Sequence, residues 1–153
     1  MSWLELRVPP PVAALLAAAL MWLAAGEMPA FDVEVPGSEA FIVLLAGLGI
    51  LLGALSIFQF RGAGTTVNPM RPEESTALVT SGIYRFSRNP MYVADVLLLA
   101  AWAVWLANLA ALVPIVLFIA YMNRFQIVPE ERALQARHGA AYADYRRLVR
   151  RWL

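Results

Sequence analysis

Two stretches of the chain concentrate the side chains capable of chemistry. The first, TTVNPMRPEESTALVTSGIYRFSRNPMY from Thr65 to Tyr92, carries Tyr84, Arg85, Arg88, Asn89 and Tyr92. The second, IVPEERALQARHGAAYADYRRLVRR from Ile127 to Arg151, carries Glu130, Glu131, Tyr142, Tyr145, Arg147 and Arg151. Arginine can grip a carboxylate with two parallel N–H groups, and glutamate can accept from hydroxyl or ammonium groups. Each type also has a plainer use. Arg85 and Arg88 can snorkel at a membrane surface. Glu130 and Glu131 can stabilise the first turn of a helix that starts after Pro129, and Tyr142, Tyr145 and Trp152 can anchor at the interface. Asp95 is a separate case, because an acid inside an apolar helix is costly unless it is paired or faces a wet cavity.

What is missing narrows the chemistry further. The chain has no cysteine and one histidine, which excludes a thiol nucleophile, a disulfide scaffold and a His-cluster metal centre, so no metal is expected. No G-x-G-x-x-G follows a strand pattern, so a Rossmann-type cofactor domain is excluded. A formal net charge of +1 gives no reason to expect nucleic acid.

The elements that position these residues are membrane helices. Of 153 residues, 61% are hydrophobic and 15% charged, with a mean hydropathy of +0.63, whereas soluble domains carry about a quarter charged residues. Nineteen uncharged residues separate Arg7 from Glu27 and 21 separate Glu39 from Arg61, each near the roughly 20 that cross a bilayer as a helix. The first stretch also has the features of a signal peptide; it is read as a retained helix. Thirty-five residues separate Arg88 from Arg124, with Asp95 the one charge among them. As a single helix they would span about 53 Å, so the stretch is divided at Asn108 into two short helices, with Pro114 expected to bend the second.

Charge supports an even number of crossings there. Residues 61–88 carry four arginines, the tail from 124 carries seven, and the loop from Glu27 to Glu39 carries four acids and no base. Basic segments stay in the cytoplasm. The expectation is an all-α integral membrane protein of one domain, residues 1–153, with four transmembrane helices at about 9–27, 40–60, 90–107 and 109–126. Both termini lie in the cytoplasm, at the inner membrane, as do the segments 61–92 and 127–153. Asn89-Pro90 reads as the start of helix three. After Pro129, Leu134, Ala141, Tyr145, Leu148 and Trp152 recur at helical spacing opposite arginines, which predicts an amphipathic helix along the interface, interrupted near Gly139.

The ordered set Leu78-Val79-x-x-Gly82-x-Tyr84-Arg85, Arg88-Asn89-Pro90-Met91-Tyr92, a helical hairpin, then Glu130-Glu131-x-x-Leu134, Gly139, Tyr142, Tyr145 and Val149-x-Arg151 resembles membrane methyltransferases of the isoprenylcysteine carboxyl methyltransferase and phospholipid methyltransferase type. The resemblance spans about residues 65–151. It implies methyl transfer from S-adenosylmethionine to a membrane lipid or other hydrophobic acceptor at the cytoplasmic face. By that resemblance Arg88 takes the cofactor carboxylate and Glu130 and Glu131 take its polar groups. Tyr92, with Asn89 and Tyr84, shapes the cofactor pocket. Arg151 and Arg147 orient the acceptor, and for an amine acceptor Asp95 or a glutamate takes the proton. Asn89 stands where the family often has His, and an amide cannot titrate near neutrality. Methyl transfer is an in-line displacement governed by proximity and needs no protein nucleophile. A lipid acceptor further implies a lateral opening between helices three and four. Prenylated cysteine, a phospholipid amine, a small thiol and a quinone-like lipid are all compatible acceptors. Two rivals remain: a sterol-reductase-like membrane enzyme using NADPH, and a non-enzymatic membrane scaffold whose arginines serve topology alone.

Overall fold

The computed structural model describes residues 4–34, 36–64, 70 and 76–153. Pro69 and Pro72, read as turn residues of the 65–92 loop, lie outside the described residues. Among those described, every regular element is helical; the sole β feature is an isolated bridge between Asp32 and Asn108.

Helix α1, Pro10–Glu27, begins with prolines at its first positions, where a missing N–H breaks no helical bond. Its buried residues Pro10, Ala13, Ala17 and Met21 form one stripe, and the small ones let α3 approach closely. The Trp102 indole accordingly reaches the Ala18 carbonyl at 3.2 Å. Helix α2, Ser38–Gly62, buries only Gly49 and Ser56. Gly49 faces Leu98 and the Ala94 carbonyl at distances a Cβ would strain, and Gly53 faces the Ala94 methyl. The rest of α2 presents Phe41, Val43, Leu44, Ile50, Leu51 and Phe58 outward. An apolar surface of that extent needs lipid or a partner to cover it.

Helix α3, Pro90–Leu106, is central and packs on α1, α2 and the fourth helix. It ends at Ala107, in the left-handed region at φ 49°. Asn108 then fixes the hairpin: its amide donates to Met28 O (2.9 Å) and Asp32 Oδ1 (2.7 Å), and its oxygen accepts from the Ala110 amide (2.8 Å). Buried Asn108 thus ties the acidic 27–34 segment to the turn.

Beyond the turn, a 3-10 turn at Leu109–Ala111, α4 (Leu112–Tyr121), a π-helical turn at Met122–Ile127 and α5 (Val128–Leu148) form one helical run of 40 residues. The tail is therefore a continuation of the fourth helix. Pro114 falls in the first turn of α4, where its missing N–H disrupts little; the irregularities lie at the π-turn and at Gly139 (φ 52°, ψ −122°). Pro129 is tolerated for a specific reason. In an α-helix the Phe125 carbonyl would accept from residue 129, which as proline has no N–H, and the Leu6 amide takes that place at 3.0 Å.

Three helical runs are long and apolar enough to cross a membrane: Pro10–Glu27, Ser38–Gly62 and Leu109–Leu148. Pro90–Leu106 is apolar but shorter. The apolar part of the third run ends before Arg124, and α5 is charged throughout. A core of Ala17, Met21, Leu99, Ile115, Phe118 and Met122 joins α1, α3 and α4, with Tyr92 and Ile127 at its end nearest α5.

Candidate active site

The site lies where the start of α3 meets the start of α5 and the chain beyond α5. Proline at the first position of α3 fixes the entry of the helix and sets Arg88 and Asn89 just before it, with Tyr92 in its first turn. The π-turn contains one Val128 N–H to Asn123 O bond of i to i−5 type, which rotates the following residues relative to a regular helix. Buried Gln126 and partly buried Glu130, four apart, then point toward Tyr92. The Tyr92 hydroxyl donates to Glu130 Oε1 at 2.5 Å, and the Gln126 amide donates to the same oxygen. Beyond the apolar part of the run, Glu130 is enclosed by protein, and burial pushes its carboxyl up to about 7; Glu131 adds to the rise, while the bonds from Tyr92 and Gln126 oppose it.

Glu131 has a different environment. Arg151 grips it bidentately, Nε to Oε1 at 3.0 Å and Nη2 to Oε2 at 2.7 Å, and Arg88 Nη2 lies 3.0 Å from Oε1. The Arg88 and Glu131 side chains are each 10% exposed. Glu131 also raises the Arg151 guanidinium above its usual range, chiefly through that hydrogen bond. Among the described residues, Arg88 is only partly satisfied: its Nε and Nη1 are buried without a hydrogen-bond partner. A buried, unpaired donor is costly, and on a guanidinium two such donors point to an anion.

The chain after α5 closes the cluster. Val149 is extended (φ −122°, ψ 133°), and the following carbonyls bind the start of α3: Arg150 O accepts from the Arg88 amide (3.0 Å) and Arg151 O from the Asn89 side chain (2.9 Å). Asn89 occupies the cap position but spends its amide on this cross-chain bond, with no side-chain cap of its own helix. The Trp152 indole donates to Asn123 Oδ1 at 3.1 Å. Tyr145 donates to the Tyr84 carbonyl at 2.7 Å, and Tyr84 packs edge-on against Phe60. Burial raises the Tyr84 hydroxyl above the usual tyrosine range, and burial pushes Tyr142 up to about 12.

The structure thus brings Arg88, Asn89, Tyr92, Glu130, Glu131 and Arg151 into one cluster, with Tyr84 linked to it through Tyr145. Arg147 lies outside: it is 80% exposed and pairs with Asp144 at 3.4 Å. Asp95 lies one turn further along α3 from Tyr92, half-buried, and no hydrogen bond or ion pair engages it among the described residues. Tyr142 and Tyr145 are buried inside the protein rather than set out at an interface. Among the described residues, no group of three His, Cys, Asp or Glu could hold a metal.

Three participants were not singled out from sequence. Gln126 carried a usable signal, its spacing of four from Glu130, hidden by reading Pro129 as a helix boundary. Glu5 had none, since it lies 119 positions from its partner Arg124. Its buried carboxylate pairs with Arg124 at 2.9 Å and Arg132 at 3.2 Å, one on the π-turn and one beyond it. With the Leu6–Phe125 bond, this fastens the N-terminal segment across the turn that presents Gln126 and Glu130. Ser87 is the third, its hydroxyl accepting from the Asn89 amide at 3.1 Å.

Chemically, the cluster offers an arginine with unused donors, one carboxyl balanced near neutrality and one carboxylate held by two arginines. That set suits a ligand bearing both an anionic and a cationic or hydroxyl group. No solved structure matches the chain. Over 63 residues it is 43% identical to an uncharacterized protein of Haemophilus influenzae, a match covering 41% of this chain and 100% of that protein. Residues 39–141, more than half the chain, match the family described as Phospholipid methyltransferase, and the segment includes α2, α3 and Arg88, Tyr92, Glu130 and Glu131. The chain belongs to the phospholipid methyltransferase family, whose members are membrane methyltransferases.

Proposed function

We propose that the protein is an S-adenosylmethionine-dependent methyltransferase that crosses the membrane four times, with both termini and the cofactor site on the cytoplasmic side and a lipid-like acceptor. The observation that carries the reading is Arg88, buried beside Glu131 with two N–H groups that have no hydrogen-bond partner among the described residues. The cofactor has a carboxylate, an ammonium, ribose hydroxyls and a flat adenine, and these residues fit it. It supplies an electrophilic methyl group on a sulfonium.

The chain's own residues divide the remaining work. Arg88 binds the carboxylate through its unused donors. Glu131 holds Arg88 and Arg151 in place and offsets their charge, so that two arginines can sit together in a partly dry site. Glu130, lacking an arginine partner, accepts from the ammonium or ribose hydroxyls in its ionised form. Tyr92 and Gln126 orient that carboxylate, and Asn89 latches the chain end over the site. Arg151 faces the acceptor side, with Arg147 nearer solvent. Asp95, one turn deeper and with no hydrogen bond or ion pair among the described residues, takes the proton from an amine acceptor. Burial of the cluster excludes water, and holding both reactants in line supplies most of the acceleration.

Charge supports the orientation, because the arginine-rich segments mark the cytoplasmic side. The exposed apolar face of α2 supports an acceptor that arrives from the bilayer. The test is to incubate the protein in nanodiscs with S-adenosylmethionine carrying a labelled methyl group and a membrane lipid extract. Label should appear in the lipid fraction and be suppressed by S-adenosylhomocysteine. Protection by NADP instead, or no transfer to any lipid or hydrophobic acceptor, overturns the reading.

A further inference from the structure

Tyr145 also lines a second feature, a half-open cavity of about 450 Å³ walled by Thr80, Arg85, Ala141, Tyr145, Leu148 and Val149. Its volume falls within the range of small-molecule sites, about 300–1,000 Å³. The lining has one guanidinium, from Arg85, two hydroxyl-bearing side chains, Thr80 and Tyr145, and three aliphatic residues, with no carboxylate. It can therefore hold an anion but has no acid or base to react with one. Arg85 makes no ion pair or hydrogen bond among the described residues.

The height of the cavity relative to the bilayer follows from packing. Gln59, in the last turns of α2, donates to the Ser81 carbonyl at 3.0 Å and accepts from the Ile83 amide at 3.3 Å with its amide in the orientation that satisfies both ends. Phe60 stacks edge-on against Tyr84 with ring centroids 5.3 Å apart. The 81–85 segment is thus fixed level with Phe60 and Arg61, where the apolar run of α2 gives way to charge. That is the depth of phospholipid headgroups. Two apolar side chains project outward here: Leu148 of the cavity wall, at the end of the charged α5, is 85% exposed, and Phe86, next to Arg85, is 74% exposed. Exposed apolar residues flanking an arginine suit a site entered from the lipid layer. Arg150 follows directly after the wall residue Val149, and its carbonyl is bonded to the Arg88 amide, which adds a second positive residue near the rim.

We infer that this cavity is a binding site for the headgroup of an anionic membrane phospholipid, held as a non-reacting ligand. Arg85 binds the phosphate through paired N–H groups, Thr80 donates to it, and Leu148 and Phe86 meet the acyl chains. A guanidinium matches the planar geometry of phosphate oxygens better than a point charge. Lipid binding here is independent of the reaction at the Arg88 cluster and stands or falls separately.

The test uses the full chain, purified in mild detergent and equilibrated with mixed phosphatidylglycerol and phosphatidylcholine vesicles, with retained lipid measured by native mass spectrometry. Wild type should retain phosphatidylglycerol over phosphatidylcholine by about tenfold, the worth of one good charge-assisted contact. Arg85→Gln should reduce this preference to near parity. Arg85→Lys should restore part of it, which keeps the result interpretable if the glutamine variant is poorly folded. Equal retention of both lipids by wild type, or an undiminished preference in Arg85→Gln, overturns the inference. Glycerol phosphate competing as well as the intact lipid also overturns it, because the site would then bind free phosphate groups from solution.

Discussion

Replacing Glu130 by Gln removes a carboxyl whose protonation the fold moves to near neutrality, and its effect can be worked through with sign. In the unfolded chain a glutamate ionises near 4.5; in the folded protein burial moves this to about 7. Below pH 4.5 the group is protonated in both states and burial is harmless. Between about 4.5 and 7 the unfolded state releases its proton while the folded state keeps it, so stability falls as pH rises. Each tenfold weakening of the acid is worth about 1.4 kcal/mol, so the loss reaches about 3 kcal/mol once pH exceeds 7. Glutamine carries no such penalty, and its amide oxygen can still accept from Tyr92 and Gln126. Glu130→Gln should therefore match wild type at pH 4.5 and become more stable by up to about 3 kcal/mol at pH 8, while binding S-adenosylhomocysteine less well. Such gains in stability at the expense of function are common at binding sites. The assay is unfolding in detergent from pH 4.5 to 8, read as the difference between variant and wild type so that other titrations cancel. A difference that stays constant with pH would refute the argument.

Three further outcomes are expected. Glu5→Ala releases Arg124 and Arg132, both more than half exposed; because water can solvate them, the cost is only about 1 kcal/mol. Hydrogen exchange at residues 122–127 should nevertheless quicken in that variant, whereas unchanged exchange would mean the N-terminal segment does not hold the π-turn. Gly82→Ala places a Cβ 1.5 Å from the end of the Gln59 side-chain amide at a position with φ of 57°; it should destabilise by at least about 1 kcal/mol, and a neutral effect in thermal unfolding would contradict the close packing of 81–85 on α2. Single cysteines in this cysteine-free chain at Ser38 and Ala143 should label with an impermeant thiol reagent from outside and from inside respectively; labelling of position 143 from outside would contradict a cytoplasmic site.

The helical membrane character was plain from composition, and Arg88, Asn89, Tyr92, Glu130 and Glu131 could be nominated because their types and order suggested a site. Their arrangement was less accessible. The Arg151–Glu131 pair depends on a left-handed glycine at 139 and an extended Val149, two backbone turns that no periodicity encodes. Pro129 looked like the start of a separate tail helix; it continues the fourth because Leu6, far away in sequence, supplies the missing donor. Tyr142 and Tyr145 had the residue type of interfacial anchors, but both are buried, and Tyr145 bonds to the Tyr84 carbonyl of the segment before α3. Ala94, on the helix expected to border a lateral opening, is packed toward Gly49 and Gly53 of α2, so a bulky residue there tests the α2–α3 contact.

The central claim, that the Arg88 cluster holds S-adenosylmethionine, is tested most directly by calorimetric titration of the product S-adenosylhomocysteine into wild type, Arg88→Ala and Arg137→Ala proteins. Binding to wild type should be saturable, weaken by at least about tenfold, or roughly 1.4 kcal/mol, in Arg88→Ala, and be unchanged in Arg137→Ala. Equal affinity for all three proteins, or no binding to wild type, would contradict it.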